Sequence, residues 1–139
     1  MFVVVDTNVM ISALARQSPI APLFRAIAEG ELSLAITSAI VLEYEEIAAE
    51  RGGLAFAAKL MHWLSLVSAS WGTIVQMHPS YQFQVISTDP DDNKFVDCAI
   101  AADADFIITR DADYAPLAGS GYKPRPITPE EFIARHLEA

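Results

Sequence analysis

Phe2-Val3-Val4-Val5-Asp6-Thr7-Asn8 opens the chain with four consecutive apolar residues, then turns at once to three polar ones. An apolar run without alternation is the pattern of a strand covered on both faces, which is how strands read in parallel sheets packed between helices. Asp6-Thr7-Asn8 suits the end of such a strand and the N-cap of a helix. Working outward, short apolar runs recur at residues 32–36, 73–77 and 106–109, and a last short one at 126–128. Between them the pattern becomes helical. Helices are expected at 9–15, at 20–29 (opened by Pro19 and Pro22, closed by Gly30), at 39–51 behind a Thr37 or Ser38 cap, and at 92–102. Gly52-Gly53 stops the third of these, and residues 54–68 carry Leu60, Trp63, Leu64 and Val67 on one helical face. Residues 79–90 read as a loop, and Thr128-Pro129-Glu130-Glu131 starts a terminal helix. Strands alternating with helices predict an α/β fold, a three-layer α/β/α sandwich around a mainly parallel sheet.

The 139 residues are expected to form one domain spanning 1–139, long enough to bury roughly two-thirds of the unfolded surface. The apolar region 54–71 is interrupted by Lys59 and His62, too mixed for a membrane span, and no basic stretch precedes the opening apolar run. Cys98, the single cysteine, excludes an intramolecular disulfide and reads as a buried structural thiol in a reducing cytoplasm. Eighteen acidic against nine basic residues give a net charge of −9, which argues against a protein that coats nucleic acid. It is compatible with a nuclease in which metal ions bridge protein carboxylates and substrate phosphate.

The acids are unevenly placed. Eight of the nine aspartates lie between Asp89 and Asp113, and the ninth is Asp6. In a parallel sheet, ligands gather beyond the carboxyl ends of the strands. Asp6, Ser38 and Asp111 all follow strands on that edge, a helix starting near Ser38 presents Glu43, and Asp92 falls on the first turn of another helix. Two carboxylates about 4 Å apart repel by roughly 1 kcal/mol in water and about 4 at an effective dielectric near 20. A cluster kept in spite of this suits a divalent cation, and hard cations choose carboxylate oxygen. Each acid has a plainer reading. Asp6 can be only a helix cap and Asp111 a turn residue, while Asp89 and Asp91 compete with Asp92, and Glu45 and Glu46 with Glu43. Asp97 lies about 140° around the helix from Asp92 and reads as a supporting or solvated acid. Asp113 reads as surface, with a peripheral metal role as the alternative, and Asp103 and Asp105 as turn residues. Arg16, Lys94 and Arg110 are candidate phosphate contacts or simple ion-pair partners. Lys123 and Arg125 form a small basic patch without an assigned role. His62, His78 and His136 show no ligand spacing. Trp63, Trp71, Tyr81 and Phe83 read as core or interface.

Taken together, Val3-Val4-Val5-Asp6-Thr7-Asn8 through Leu14, Ser38 through Glu43-Tyr44-Glu45-Glu46-Ile47, Asp89-Pro90-Asp91-Asp92-Asn93-Lys94-Phe95 followed by Ala99, and Ile107-Ile108-Thr109-Arg110-Asp111 resemble the four acidic elements of PIN-domain ribonucleases, in order.

 The closest subgroup is the VapC-like one, described as toxins of toxin–antitoxin pairs. The resemblance implies a metal-dependent endoribonuclease that hydrolyses RNA phosphodiester bonds with Mg²⁺ or Mn²⁺, through a metal-activated water. Carried over residue by residue, it makes Asp6, Glu43, Asp92 and Asp111 the catalytic metal-binding acids, with Thr7, Asn8 and Thr109 in support. It also implies an RNA substrate, a small antitoxin partner and a homodimer. Two rivals stay open: a PIN-like nuclease of RNA processing or DNA flaps without an antitoxin, and a catalytically silent domain that binds RNA or a partner.

Overall fold

The structure, a computed structural model, describes residues 1–15, 17–79, 82–86 and 90–137. Of the residues singled out above, Arg16, Tyr81, Asp89 and the side chain of Trp71 lie outside that description. The elements are β1 (Phe2–Val5), α1 (Thr7–Leu14), α2 (Ala21–Ala28), β2 (Ser33–Ile36), α3 (Ser38–Trp71), β3 (Ile74–Gln76), α4 (Asn93–Ala101), β4 (Phe106–Ile108), β5 (Arg125–Ile127) and α5 (Pro129–Phe132). A 3-10 turn, Pro90–Asp92, leads into α4, a longer 3-10 segment, Ala112–Gly119, links β4 to β5, and a π-helical turn, Ile133–Leu137, follows α5.

The five strands form one sheet in the order β3-β2-β1-β4-β5, and every pairing is parallel. With helices covering it the architecture is the expected α/β/α sandwich. The register sets Val3 beside both Leu34 and Phe106, and Val5 beside Ile108. β1 is therefore central, and Val3, Val4 and Val5 are fully buried, as a strand apolar at every position requires. Chain order reverses on either side of β1, with β2 on one flank and β4 on the other. That places the topological switch point, where open α/β sheets bind ligands, between the ends of β1 and β4.

Two expected helices, 39–51 and 54–68, are joined in α3. Gly53 alone leaves helical geometry, at φ 87° and ψ 173°, and the helix resumes directly after it. That conformation belongs almost exclusively to glycine. At Gly52 the demand is steric, because a Cβ there would meet the Phe56 ring at 2.7 Å. The glycine pair thus ends one helix and a second begins directly beyond the kink, as the sequence leads one to expect. The terminal helix is also shorter than its capping signals suggest, passing into a π turn after four residues.

Packing fixes the site-bearing elements to the sheet. Tyr44 of α3 is fully buried, and its hydroxyl donates to the carbonyl of Val5, the last residue of β1. Phe24 stacks on Trp63 with ring centroids 4.2 Å apart, joining α2 to α3 and placing Trp63 against the core as expected. Cys98 is buried, and burial, aided by the Asp97 charge, pushes its thiol up to about 12, so it is an unreactive core residue. No helix among the described residues is long and apolar enough to cross a membrane.

Candidate active site

Asp6 sits where β1 becomes α1. Its backbone N–H still donates to Ile108 of β4 at 3.0 Å, so the residue is held by the sheet while its side chain caps the helix. Oδ1 accepts from the Thr7 N–H at 2.8 Å, and Oδ2 accepts from the Thr109 hydroxyl at 2.8 Å. The Thr109 hydroxyl in turn accepts from the Asp111 N–H at 3.0 Å. One threonine therefore ties the acid after β1 to the acid after β4 across the switch point. Asp6 is only 8% exposed, and burial raises its pKa. The bonds from Thr109 and Thr7 oppose that rise, and the charges of Asp111 and Glu43 add to it.

Glu43 arrives from the second turn of α3, which Thr37 caps by accepting from the Ile40 N–H. One carboxylate oxygen accepts from the Thr7 hydroxyl, and the other lies 2.6 Å from the Lys94 ammonium. Asp92 occupies the N-cap position of α4 yet makes no side-chain capping bond to that helix. Asp111 begins the 3-10 segment, its Oδ1 accepting from the Asp113 N–H at 2.9 Å.

These acids, scattered in sequence, line one cavity of about 260 Å³: Asp6, Glu43, Asp92 and Asp111, together with Thr7, Asn8, Ile47, Arg51 and Asp91. Oxygens of Asp92, Asp111 and Asp113 all lie within 4.8 Å of one another, close enough to hold one ion between them. Asp113, read from sequence as a surface acid, is thereby drawn into the cluster by the 3-10 turn. The donors are carboxylate oxygens without cysteine or histidine, a set that fits Mg²⁺ or Mn²⁺.

Two further residues, Arg51 and Tyr114, escaped the sequence reading, while Asp91 figures there only as a rival to Asp92. Arg51 lies eight residues after Glu43, with Ile47 halfway, a spacing of four that puts all three on one helix face. Asp91 lines the cavity beside Asp92. Tyr114 is fully buried in the 3-10 segment, and burial with the charges of Asp6, Asp92 and Asp111 pushes its phenol far above the usual range. No sequence pattern marked it. Among the supporting residues, Thr7 and Thr109 make the orienting bonds, while Asn8 lines the cavity from an exposed position.

The remaining candidates fall elsewhere. Asp97 accepts from the Phe83 N–H at 3.0 Å and borders a neighbouring cavity; burial raises its pKa and that bond opposes it. Glu45 and Glu46 are exposed. Arg110 borders the acids but forms a two-point pair with Glu130, both contacts at 3.0 Å. Asp105 accepts from the Phe2 N–H, and Lys123 reaches both Asp103 and Asp105, so these acids and this lysine close the opposite edge of the sheet.

The PIN-domain family model matches residues 2–113, and the chain belongs to the PIN-domain family. Its fold is similar to that of a chain in the crystal structure of VapBC2 from Rickettsia felis bound to a DNA fragment from their promoter. The match has a TM-score of 0.61 at 12% identity, covering 91% of this chain and 98% of that one. No curated protein shows significant sequence similarity to the chain.

Proposed function

We propose that this chain is a divalent-metal-dependent endoribonuclease, the toxin of a toxin–antitoxin pair, acting in the cytoplasm as one domain. Asp6, Glu43, Asp92 and Asp111 are its metal-binding and catalytic acids, and Asp113 joins them. The observation that carries the proposal is the convergence of four acids from four distant segments on one cavity at the switch point of a PIN fold. Like charges brought into one cavity repel one another, and a bound cation relieves that repulsion. The VapBC2 likeness supports the toxin–antitoxin assignment; a small antitoxin protein as partner and a homodimer as the working assembly complete the proposal.

The bound metal, Mg²⁺ or Mn²⁺, supplies a nucleophile at neutral pH and neutralises charge developing on the phosphate. The chain's own part is positional. Thr7 and Thr109 aim Glu43 and Asp6, so that these carboxylates need not reorganise when the ion arrives. Lys94, which lines an adjoining cavity with Asp91, and Arg110, which lines another with Asp6 and Asp111, are the nearby cations for the phosphates of the strand.

The test is cleavage of a mixed single-stranded RNA pool with Mn²⁺, Mg²⁺ or EDTA, comparing the wild type with Asp6→Asn. Cutting that requires metal and vanishes in the variant supports the proposal. Wild-type protein that binds no Mn²⁺ in calorimetric titration sinks it.

A further inference from the structure

We propose that Lys94 is an exchangeable cation: it neutralises Glu43 while the metal site is empty, and a divalent cation displaces it toward the substrate's phosphate backbone. The inference rests on the metal-site reading above and adds a role for this lysine that the four acids alone do not imply.

The Lys94–Glu43 contact is the shortest ion pair among the described residues, at 2.6 Å, and both side chains are only about a quarter exposed (27% and 25%). The Arg110–Glu130 and Arg135–Glu131 pairs are each more exposed on both sides. Glu43 has two oxygens, and both are engaged, one by Thr7 and one by Lys94. A divalent cation that takes either Glu43 oxygen is therefore brought close to the ammonium, though each oxygen keeps a second lone pair. Two positive charges on one carboxylate repel, and the doubly charged ion draws on the neighbouring aspartates as well. The lysine is the partner that yields.

The structure gives it somewhere to go. Lys94 also borders a cavity of about 310 Å³ beside the acid cavity, and Asp91 lines both. The start of α4 need not move with it. The Asn93 side chain accepts from the Ile86 N–H at 2.9 Å and donates to the Ile86 carbonyl at 2.8 Å, clamping the backbone next to Lys94. The flexible four-carbon stem of lysine then swings alone, carrying a point charge suited to a phosphate.

Calorimetric titration of Mn²⁺ into wild type, Lys94→Gln, Glu43→Gln and the double variant forms a thermodynamic cycle. Removing the competing pair should tighten Mn²⁺ binding by about fivefold, the equivalent of a pair worth roughly 1 kcal/mol. In the Glu43→Gln background the same lysine substitution should change little, since the carboxylate they compete for is gone. Arg110→Gln, which deletes an equal charge but leaves Glu43 paired, should tighten Mn²⁺ less. Lys94→Met, which keeps most of the apolar stem, guards against loss of folding. With labelled single-stranded RNA, Lys94→Gln should raise KM although it binds metal more tightly, a divergence that general damage to the fold does not produce. Unchanged or weaker Mn²⁺ affinity in both lysine variants overturns the proposal, and so does an equal gain with and without Glu43. Wild type that binds no Mn²⁺ overturns the metal-site reading and this inference together, whereas metal binding indifferent to Lys94 removes this inference alone.

Discussion

Replacing Asp113 by asparagine deletes one negative charge from the Asp92–Asp111–Asp113 group and leaves the bond from its backbone N–H to Asp111 in place. At the 4.8 Å that bounds the three oxygens, a pair of unit charges repels by about 0.9 kcal/mol in a water-like dielectric. That dielectric is the appropriate one, because Asp111 is exposed and Asp113 only partly buried. Physiological salt roughly halves each term. Loss of two repulsions should therefore stabilise the metal-free protein by about 1 kcal/mol. For 139 residues that raises Tm by about 3 °C. With Mn²⁺ present the order should reverse. Wild type at a hundredfold excess over Kd gains about 2.7 kcal/mol, and a variant with tenfold weaker affinity gains about 1.3 kcal/mol less. Differential scanning fluorimetry in EDTA and in Mn²⁺ reads both effects. A variant no more stable than wild type in EDTA, or one that gains as much from Mn²⁺, would refute the placement of Asp113 among cation-facing groups.

Asp6→Asn should also stabilise the metal-free protein at neutral pH. Because burial raises the folded pKa of Asp6 above its ordinary value of 3.8, the folded state holds that proton more tightly than the unfolded state. Its ionisation therefore lowers stability as pH climbs from about 3.8 through the folded pKa; urea midpoints across this range should show that fall in wild type and lose it in the variant. Tyr44→Phe should cost about 1–3 kcal/mol, since the buried carbonyl of Val5 loses the hydroxyl that donates to it, and chemical denaturation measures this directly. Gly53→Ala should cost about 1–3 kcal/mol by forcing an L side chain into the φ 87° conformation, whereas the neighbouring Gly52→Ala acts through the Phe56 ring; a thermal melt showing no loss for Gly53→Ala would contradict that backbone assignment.

How much of this was legible beforehand differs from element to element. The uniformly apolar Val3-Val4-Val5 run specified a strand buried on both faces, and with it a parallel sheet covered by helices. The pairing of Asp6 with Asp111 followed from strand ends sharing one edge. The packing of a partly buried Trp63 against the core was readable from helical spacing, and so was the inertness of Cys98 from its apolar setting. Less was legible at the joints. Gly52-Gly53 reads as a stop, and the chain does leave helical geometry at Gly53; what the local pattern could not show is that Gly53 alone makes the kink, the second helix starting at once on its far side. The 3-10 segment after Asp111 has no amphipathic period to announce it, and it is this turn that brings Asp113 to the cluster and buries Tyr114 beneath it.

The layers, a mainly parallel sheet and the edge on which the acids collect were readable from the chain alone, because unbroken apolar runs and the alternation of strands with helices are local properties. The tertiary structure alone decided which partner each acid meets. Glu43 pairs with Lys94, Asp6 with Thr109, and Arg110 with Glu130. These choices depend on distances of a few ångströms between segments far apart in the chain, and charge interactions at that range are set by packing, to which composition and spacing are blind.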